Sequence, residues 1–140
     1  EPALLCFADL DHLKEINDVF GHAAGDFAIK WCSATLQEQV GASGIVGRIG
    51  GDEFLIALIA PVDMTASNVE QTAQRIIKAI NQPFYCENHK IQVGCSIGSA
   101  VFPGDSTEPQ TVIKYADKAL YYSKSHNKNR LTSYASIGGE

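Results

Sequence analysis

No stretch of this 140-residue chain approaches the roughly 20 apolar residues of a membrane span, and its start carries no pattern of a secretory leader. Cysteine is scarce and scattered. Cys6, Cys32, Cys86 and Cys95 form no Cys-x-x-Cys pair, which removes the usual zinc and dithiol arrangements and reads as reduced core thiols of a cytosolic protein. Positive charge is also short: 11 Lys and Arg face 16 Asp and Glu, for a net charge of −5. Nucleic-acid affinity comes mainly from Lys and Arg on phosphates, so a general nucleic-acid binder is disfavoured. An acidic protein can still hold a nucleotide if metal ions bridge the charges. Internal repeats, low-complexity tracts and linkers are absent too, and the 45% hydrophobic content is that of one soluble domain with a real core. The chain opens Glu1-Pro2 and enters an apolar run at once, which reads as a segment cut from a longer protein whose membrane anchor or sensor, if any, lies outside it.

What is present centres on Arg48-Ile49-Gly50-Gly51-Asp52-Glu53-Phe54, set between Ile45-Val46 and the apolar run that continues to Ile59. That pattern predicts a β-hairpin with acids at its tip. Gly50 and Gly51 supply the positive φ of a tight turn, and their missing Cβ atoms let a bulky anion approach the backbone. Asp52 and Glu53 at such a tip suit a metal or a reacting group, against the plainer reading of a solvated acidic turn.

Upstream, Ala3 to Ala8 reads as a central strand ending at Asp9-Leu10-Asp11, with both acids on one side by strand alternation. Asp11 is assigned as the N-cap of a helix carrying Leu13, Ile16 and Phe20. Capping does not account for Asp9. Gly21 to Asp26 breaks that helix and starts another, with Ala28, Ile29, Cys32, Leu36 and Val40 inward and Asp26 near the favourable N-terminus, where spacing alone points to a capping role. Phe27 and Trp31 lie beside this stripe, as core edge or as a contact for a further segment or partner. After the hairpin, whose second strand runs Phe54 to Ala60, a turn is expected over 61–65. Ser67-x-x-Glu70 then opens a scaffold helix, and Ile91 to Phe102 alternates as one strand with Gly94, Ser96 and Gly98 on its small face. Close packing is the commoner reason for such a face. Thr107-x-x-Gln110 is read as the box opening a last helix with Val112, Ile113, Ala116 and Leu120 inward, followed by a basic cluster of Lys118, Lys124, His126, Lys128 and Arg130.

The series Asp9-Leu10-Asp11-His12-Leu13-Lys14-x-Ile16-Asn17-Asp18, Gly21-His22-x-x-Gly25-Asp26, Gly50-Gly51-Asp52-Glu53-Phe54, Ser96-Ile97-Gly98, Ala116-Asp117-x-Ala119-Leu120-Tyr121 and Asn129-Arg130 resembles the GGDEF domain, the diguanylate cyclase family. The match is collinear over nearly the whole chain, so residues 1–140 read as a single domain of this kind. The resemblance implies an α+β, palm-like fold with a mostly antiparallel central sheet, like that of nucleotidyl cyclases. It also implies condensation of two GTP to cyclic di-GMP with release of pyrophosphate, in a homodimer. Phosphoryl transfer of this kind needs charge neutralisation and in-line placement, which two Mg²⁺ (or Mn²⁺) ions held by few carboxylates supply.

By position, the resemblance implies that Asp9, the carbonyl of Leu10, Asp52 and Glu53 hold metal, with Asp52 and Glu53 catalytic. Asn17 and Asp26 would read guanine with His22 nearby. The amides around His12 and Leu13, with Lys14, Lys124 and Lys128, would meet phosphates that Gly50 and Gly51 let approach. Sensory or phosphodiesterase domains are the expected fusions, with no membrane contact by this segment. The chain departs from the family pattern in four places. Leu13 stands where Phe is usual, and Asn127-Lys128-Asn129 where Gly then Arg or Lys is usual. Gly41 to Gly44 replaces the inhibitory Arg-x-x-Asp, and the family's opening helix with its Asp-x-Leu-Thr motif is not in the sequence. Asn127 in place of glycine and the expected fusion leave open a second reading, a silent GTP-binding or dimerisation module that regulates a fused domain.

Overall fold

The computed structural model describes residues 3–59 and 66–137. Its elements in order are β1 (Ala3–Asp11), α1 (Leu13–Phe20), α2 (His22–Val40), a 3-10 turn (Gly41–Ser43), β2 (Gly44–Gly50), β3 (Glu53–Ile59) and α3 (Ala66–Ile80). Then follow β4 (Phe84–Cys86), β5 (His89–Ile91), β6 (Gly94–Phe102), α4 (Pro109–Ser125), β7 (Leu131–Ser133) and α5 (Tyr134–Ile137). The main sheet has the order β2-β3-β1-β6-β7, antiparallel except for β6–β7. This is the expected α+β, mostly antiparallel architecture, with β1 at the centre.

Strand alternation decides what each sheet face meets. Leu4, Cys6, Ala8 and Leu10 of β1 join Phe54, Ile56, Leu58, Cys95 and Ile97 in one core with α2 and α3. Leu36, Val40, Ile76 and Ile80 come from those helices, all at most 5% exposed. Burial pushes the thiols of Cys6 and Cys32 up to about 12, so both stay neutral. The odd-numbered residues of β1 face α4, where Phe7, Ala100, Val112, Ala116 and Leu120 form a second core. At Gly98 a methyl group would run into the backbone of Ala116 and Leu120, so the small face of β6 is small because α4 lies directly on it.

Several expectations need correction. The strand read as continuous from Ile91 to Phe102 is two: Ile91 ends β5, and β6 begins at Gly94. The β4–β5 hairpin turns at Glu87 and Asn88, both at positive φ. Ile113, expected inward, is 40% exposed. The box at Thr107 does not form: α4 is N-capped by Glu108 without a side-chain bond, and Pro109, pre-set for the first helical turn, fixes the start. Beyond α4 the chain adds β7 and α5, which the alternation did not announce. Trp31 and Phe27 stack on Phe84 with centroids 4.5 and 5.7 Å apart, which makes them core edge. The turn over 61–65, Ala60 and the Ser67 side chain lie outside the described residues.

Candidate functional site

β1 ends among acids. Asp9 lies opposite Glu53 of β3 on one side and Ser96 of β6 on the other, and all three point to the α4 face. The hairpin tip is drawn to this point by backbone bonding, since the Leu10 amide donates to the Asp52 carbonyl at 3.1 Å. Leu10 itself is 1% exposed and sits in the opposite core. A register shift between Arg48 and Gly50 kinks the end of β2, and Arg48 Nε donates to the Gly51 carbonyl at 2.9 Å. Only Gly51 takes positive φ, 52°; Gly50 does not, and an added methyl would meet nothing within 4 Å at either.

One ammonium faces this acid group. Lys124 Nζ of α4 lies 3.1 Å from Asp9 Oδ2 and 3.3 Å from Asp11 Oδ1. Asp9 is pushed up to about 6, chiefly by burial; Lys124 opposes the rise, and Asp52 and Glu53 add to it. Glu53 is raised by burial, then by Asp117 and Asp52. Burial pulls Lys124 down, but its bonds to Asp9 and the charge of Asp11 outweigh that and hold it above its usual range. These directions agree: the cation shared by Asp9 and Asp11 gains from both, while Asp9 and Glu53 remain under-compensated. Asp9 Oδ1 is buried without a hydrogen-bond partner. An orphaned carboxylate oxygen beside like charges suits a hard divalent cation of the Mg²⁺ type, which takes few protein ligands and completes its shell with water and phosphate. Among the described residues no group of three or more His, Cys, Asp or Glu could hold a metal by itself.

Asp11 is not the helix cap. His12 occupies the N-cap position at φ 67° with no side-chain cap bond, and Asp11 is 1% exposed beneath it. A left-handed His12 turns the chain sharply from strand to helix, so the last strand residue stays in the core and cannot reach the α1 amides. The Leu13 side chain is buried, while His12 and Lys14 are exposed at the start of α1. Asn17 packs on α2 at Gly25, where a methyl would strike Asn17 Oδ1. Asp26, next along, is the fifth residue of α2, whose N-cap is Gly21, so Asp26 caps nothing and its carboxylate is exposed. It shares a cleft of about 130 Å³ with Ile29, Lys30 and Arg48, which links α2 to the base of the hairpin tip. His22 is exposed at the head of α2.

The structure therefore brings Asp9, Asp52, Glu53 and Lys124 to one end of the sheet, with Asn17 and Asp26 across the α1–α2 seam. Lys128 is exposed in a left-handed turn after α4, Asn127–Asn129 at φ 78°, 52° and 47°. Arg130 turns away, its Nη1 donating to the His126 carbonyl and its guanidinium over Tyr122. Ser96, Asn129 and Asp117 stand in the family motifs quoted above but without an assigned role, because the partners of Ser96 and Asn129 lie far off in sequence.

A family profile described as "Diguanylate cyclase, GGDEF domain" matches residues 1–130. The signaling protein YkoW of Bacillus subtilis is 34% identical over 135 residues, 96% of this chain and 17% of its own length. Diguanylate cyclase A of Treponema denticola is 32% identical over 133 residues, 94% of this chain and 35% of its own. The chain thus spans well under half the length of these relatives. Among solved structures, the GGDEF domain of the Pseudomonas aeruginosa protein YfiN (also TpbB) superimposes with a TM-score of 0.87 at 29% identity, covering 95% of this chain and 82% of that one.

Proposed function

This chain belongs to the GGDEF family of diguanylate cyclases, and we propose that it condenses two GTP molecules into cyclic di-GMP in a homodimer that brings two half-sites together. Each ribose 3′-oxygen attacks the α-phosphorus of the other GTP. One P–O bond forms, the bond to pyrophosphate breaks, and the hydroxyl proton passes to the Asp52 carboxylate. The single observation that carries this reading is the orphaned Asp9 Oδ1, buried beside Asp52 and Glu53 with only one ammonium near.

Asp9, the Leu10 carbonyl, Asp52 and Glu53 hold Mg²⁺ or Mn²⁺. The ion, when bound, neutralises the phosphate charge that accumulates during transfer. Asn17 and Asp26 bind the guanine edge, with His22 beside them. Two features support this: Asn17 is fixed against Gly25, and Asp26 is left free of any capping role. A carboxylate accepting from the guanine N–H donors selects GTP over ATP, which lacks them at that edge. The α1 amides near His12 and Leu13, with Lys14, Lys124 and Lys128, take the phosphates; the helix N-terminus and ammoniums supply matching charge. Gly50 and Gly51 leave the tip open to them. Lys128 acts as a point charge without the bidentate fork of Arg.

Gly41 to Gly44 form the 3-10 turn and the start of β2 and offer neither guanidinium nor carboxylate, so the product does not inhibit through that position. The greater length of these relatives supports fusion to further domains, for which sensory or phosphodiesterase domains are proposed. No helix of the described residues is long and apolar enough to cross a membrane. Incubation with GTP and Mg²⁺ tests the proposal: cyclic di-GMP should form and should disappear in Asp52→Ala. GTP binding without turnover, under conditions that enforce dimerisation, would leave the silent regulatory module instead.

A further inference from the structure

Asp11 has no role in the reaction above, yet it has more partners than any other acid in the described residues. Ser96 Oγ donates to it, lying 2.8 and 2.9 Å from its two oxygens. The Asn129 amide donates to Asp11 Oδ2 at 2.9 Å and lies 3.0 Å from Ser96 Oγ. Asn129 Oδ1 in turn accepts from the Cys95 amide at 2.9 Å, which ties the turn to the head of β6. Gly94 closes the pocket, since a methyl there would come within 3.1 Å of Asp11 Oδ2 and 3.3 Å of Asn129 Oδ1. Among the described residues the one cation on this buried carboxylate is Lys124, at 3.3 Å, which is shared with Asp9 at 3.1 Å.

The two carboxylates that share Lys124 differ in their surroundings. Asp9 keeps an oxygen without a partner and lies against Asp52 and Glu53, whereas every oxygen of Asp11 is engaged inside the protein. A divalent cation that takes Asp9 removes one of the two attractions on Lys124 and leaves the other untouched. A buried carboxylate stripped of its cation is strongly unfavourable, so Asp11 keeps it.

We propose that Asp11 is a positioning residue for the site described above: it holds the Lys124 ammonium and, through the Asn129 amide, the left-handed turn bearing Lys128, so that both cations stay in place when Asp9 binds metal. The inference rests on the proposed roles of Asp9 and the two lysines, but its test does not need turnover. In the chain labelled with ¹⁵N-lysine, the Lys124 ammonium gives a slowly exchanging proton signal only while it is held. In metal-free Asp9→Asn, which imitates an occupied Asp9, that signal should persist. In Asp11→Asn it should vanish, and amide exchange at Asn129 should quicken about tenfold. Any other pattern overturns the proposal: loss of the signal in Asp9→Asn, or its survival in Asp11→Asn. Should Asp11→Asn fail to fold, Asp9→Asn decides alone, because there Asp11 is the only carboxylate left on Lys124.

A kinetic arm separates positioning from plain structural support. Ser96→Ala removes a hydrogen bond from the same network without removing charge, so KM for GTP should stay within about threefold. In Asp11→Asn it should rise about tenfold or more. Equal effects in the two variants would overturn the positioning role. If the ordered Lys124 signal persists in Asp9→Asn while the parent chain makes no cyclic di-GMP, the cyclase reading alone is refuted.

Discussion

The seam between β6 and α4 and the tip between β2 and β3 both use glycine, for opposite reasons. At Gly98 the fold itself forbids a side chain, because α4 backbone fills the space. At Gly50 the fold forbids nothing: its φ is not left-handed, and a methyl would touch no atom within 4 Å. Where packing explains a small residue, its loss costs stability. Where packing does not explain it, the reason has to be sought in what approaches from outside.

The sharpest contrast is at the tip. Asp52→Ala should lower cyclic di-GMP production at least a thousandfold, roughly 4 kcal/mol at 1.36 kcal/mol per decade, while a thermal melt moves by no more than about 2 °C. Gly98→Ala should do the reverse. Overpacking a close helix–sheet contact costs about 2–3 kcal/mol, read as a lower urea midpoint, with turnover per folded molecule nearly unchanged. A stable Gly98→Ala would break the comparison. Gly50→Ala should leave the urea midpoint where it is and raise KM for GTP about tenfold, roughly 1.4 kcal/mol; unchanged kinetics would show that the tip glycine is incidental.

The smallest effect concerns Asp9, which belongs to both regions: it stands on β1 beneath α4 and faces the tip. Its folded pKa of about 6 lies above the ordinary 3.8, so the folded state holds the proton more tightly and ionisation opposes folding. Stability from this group is whole below about pH 4 and is lost as pH rises to about 6. Solvent reaching the half-buried carboxyl reduces the loss to about 1 kcal/mol. In metal-free buffer Asp9→Asn should therefore be more stable than the parent by about this amount at pH 7.5. The difference should close below pH 4, as followed by urea titration at each pH. Added Mg²⁺ should narrow the gap by stabilising only the parent.

Much of this was legible from short-range pattern. Alternation along β1 set Asp9 and Asp11 on one side, the two glycines and two acids announced a hairpin tip, and the helical stripes of α2 and α3 identified the residues that are buried. Asp11 was misread because its true partners, Ser96 and Asn129, lie 85 and 118 residues away, and only tertiary structure brings them close. A capping residue and a buried acid look identical when the sequence offers only the helix that follows. The β4–β5 hairpin was lost for another reason. Three-residue strands are too short to show a period, and Ile91 and Val93 continue the alternation of β6 across a real break. Pro109 overrode the box at Thr107 because a fixed φ competes well against one side-chain hydrogen bond.

β2 forms one border of the main sheet, with Ile45 66% and Ile49 52% exposed, three glycines and a single charge, Arg48. Such a border is a template for further strand addition. At high concentration, copies of the domain should therefore associate through this strand, and shelf life should follow its chemistry more than the depth of the core. A lysine in place of Ile45 should keep stock solutions clear for longer without altering the melt.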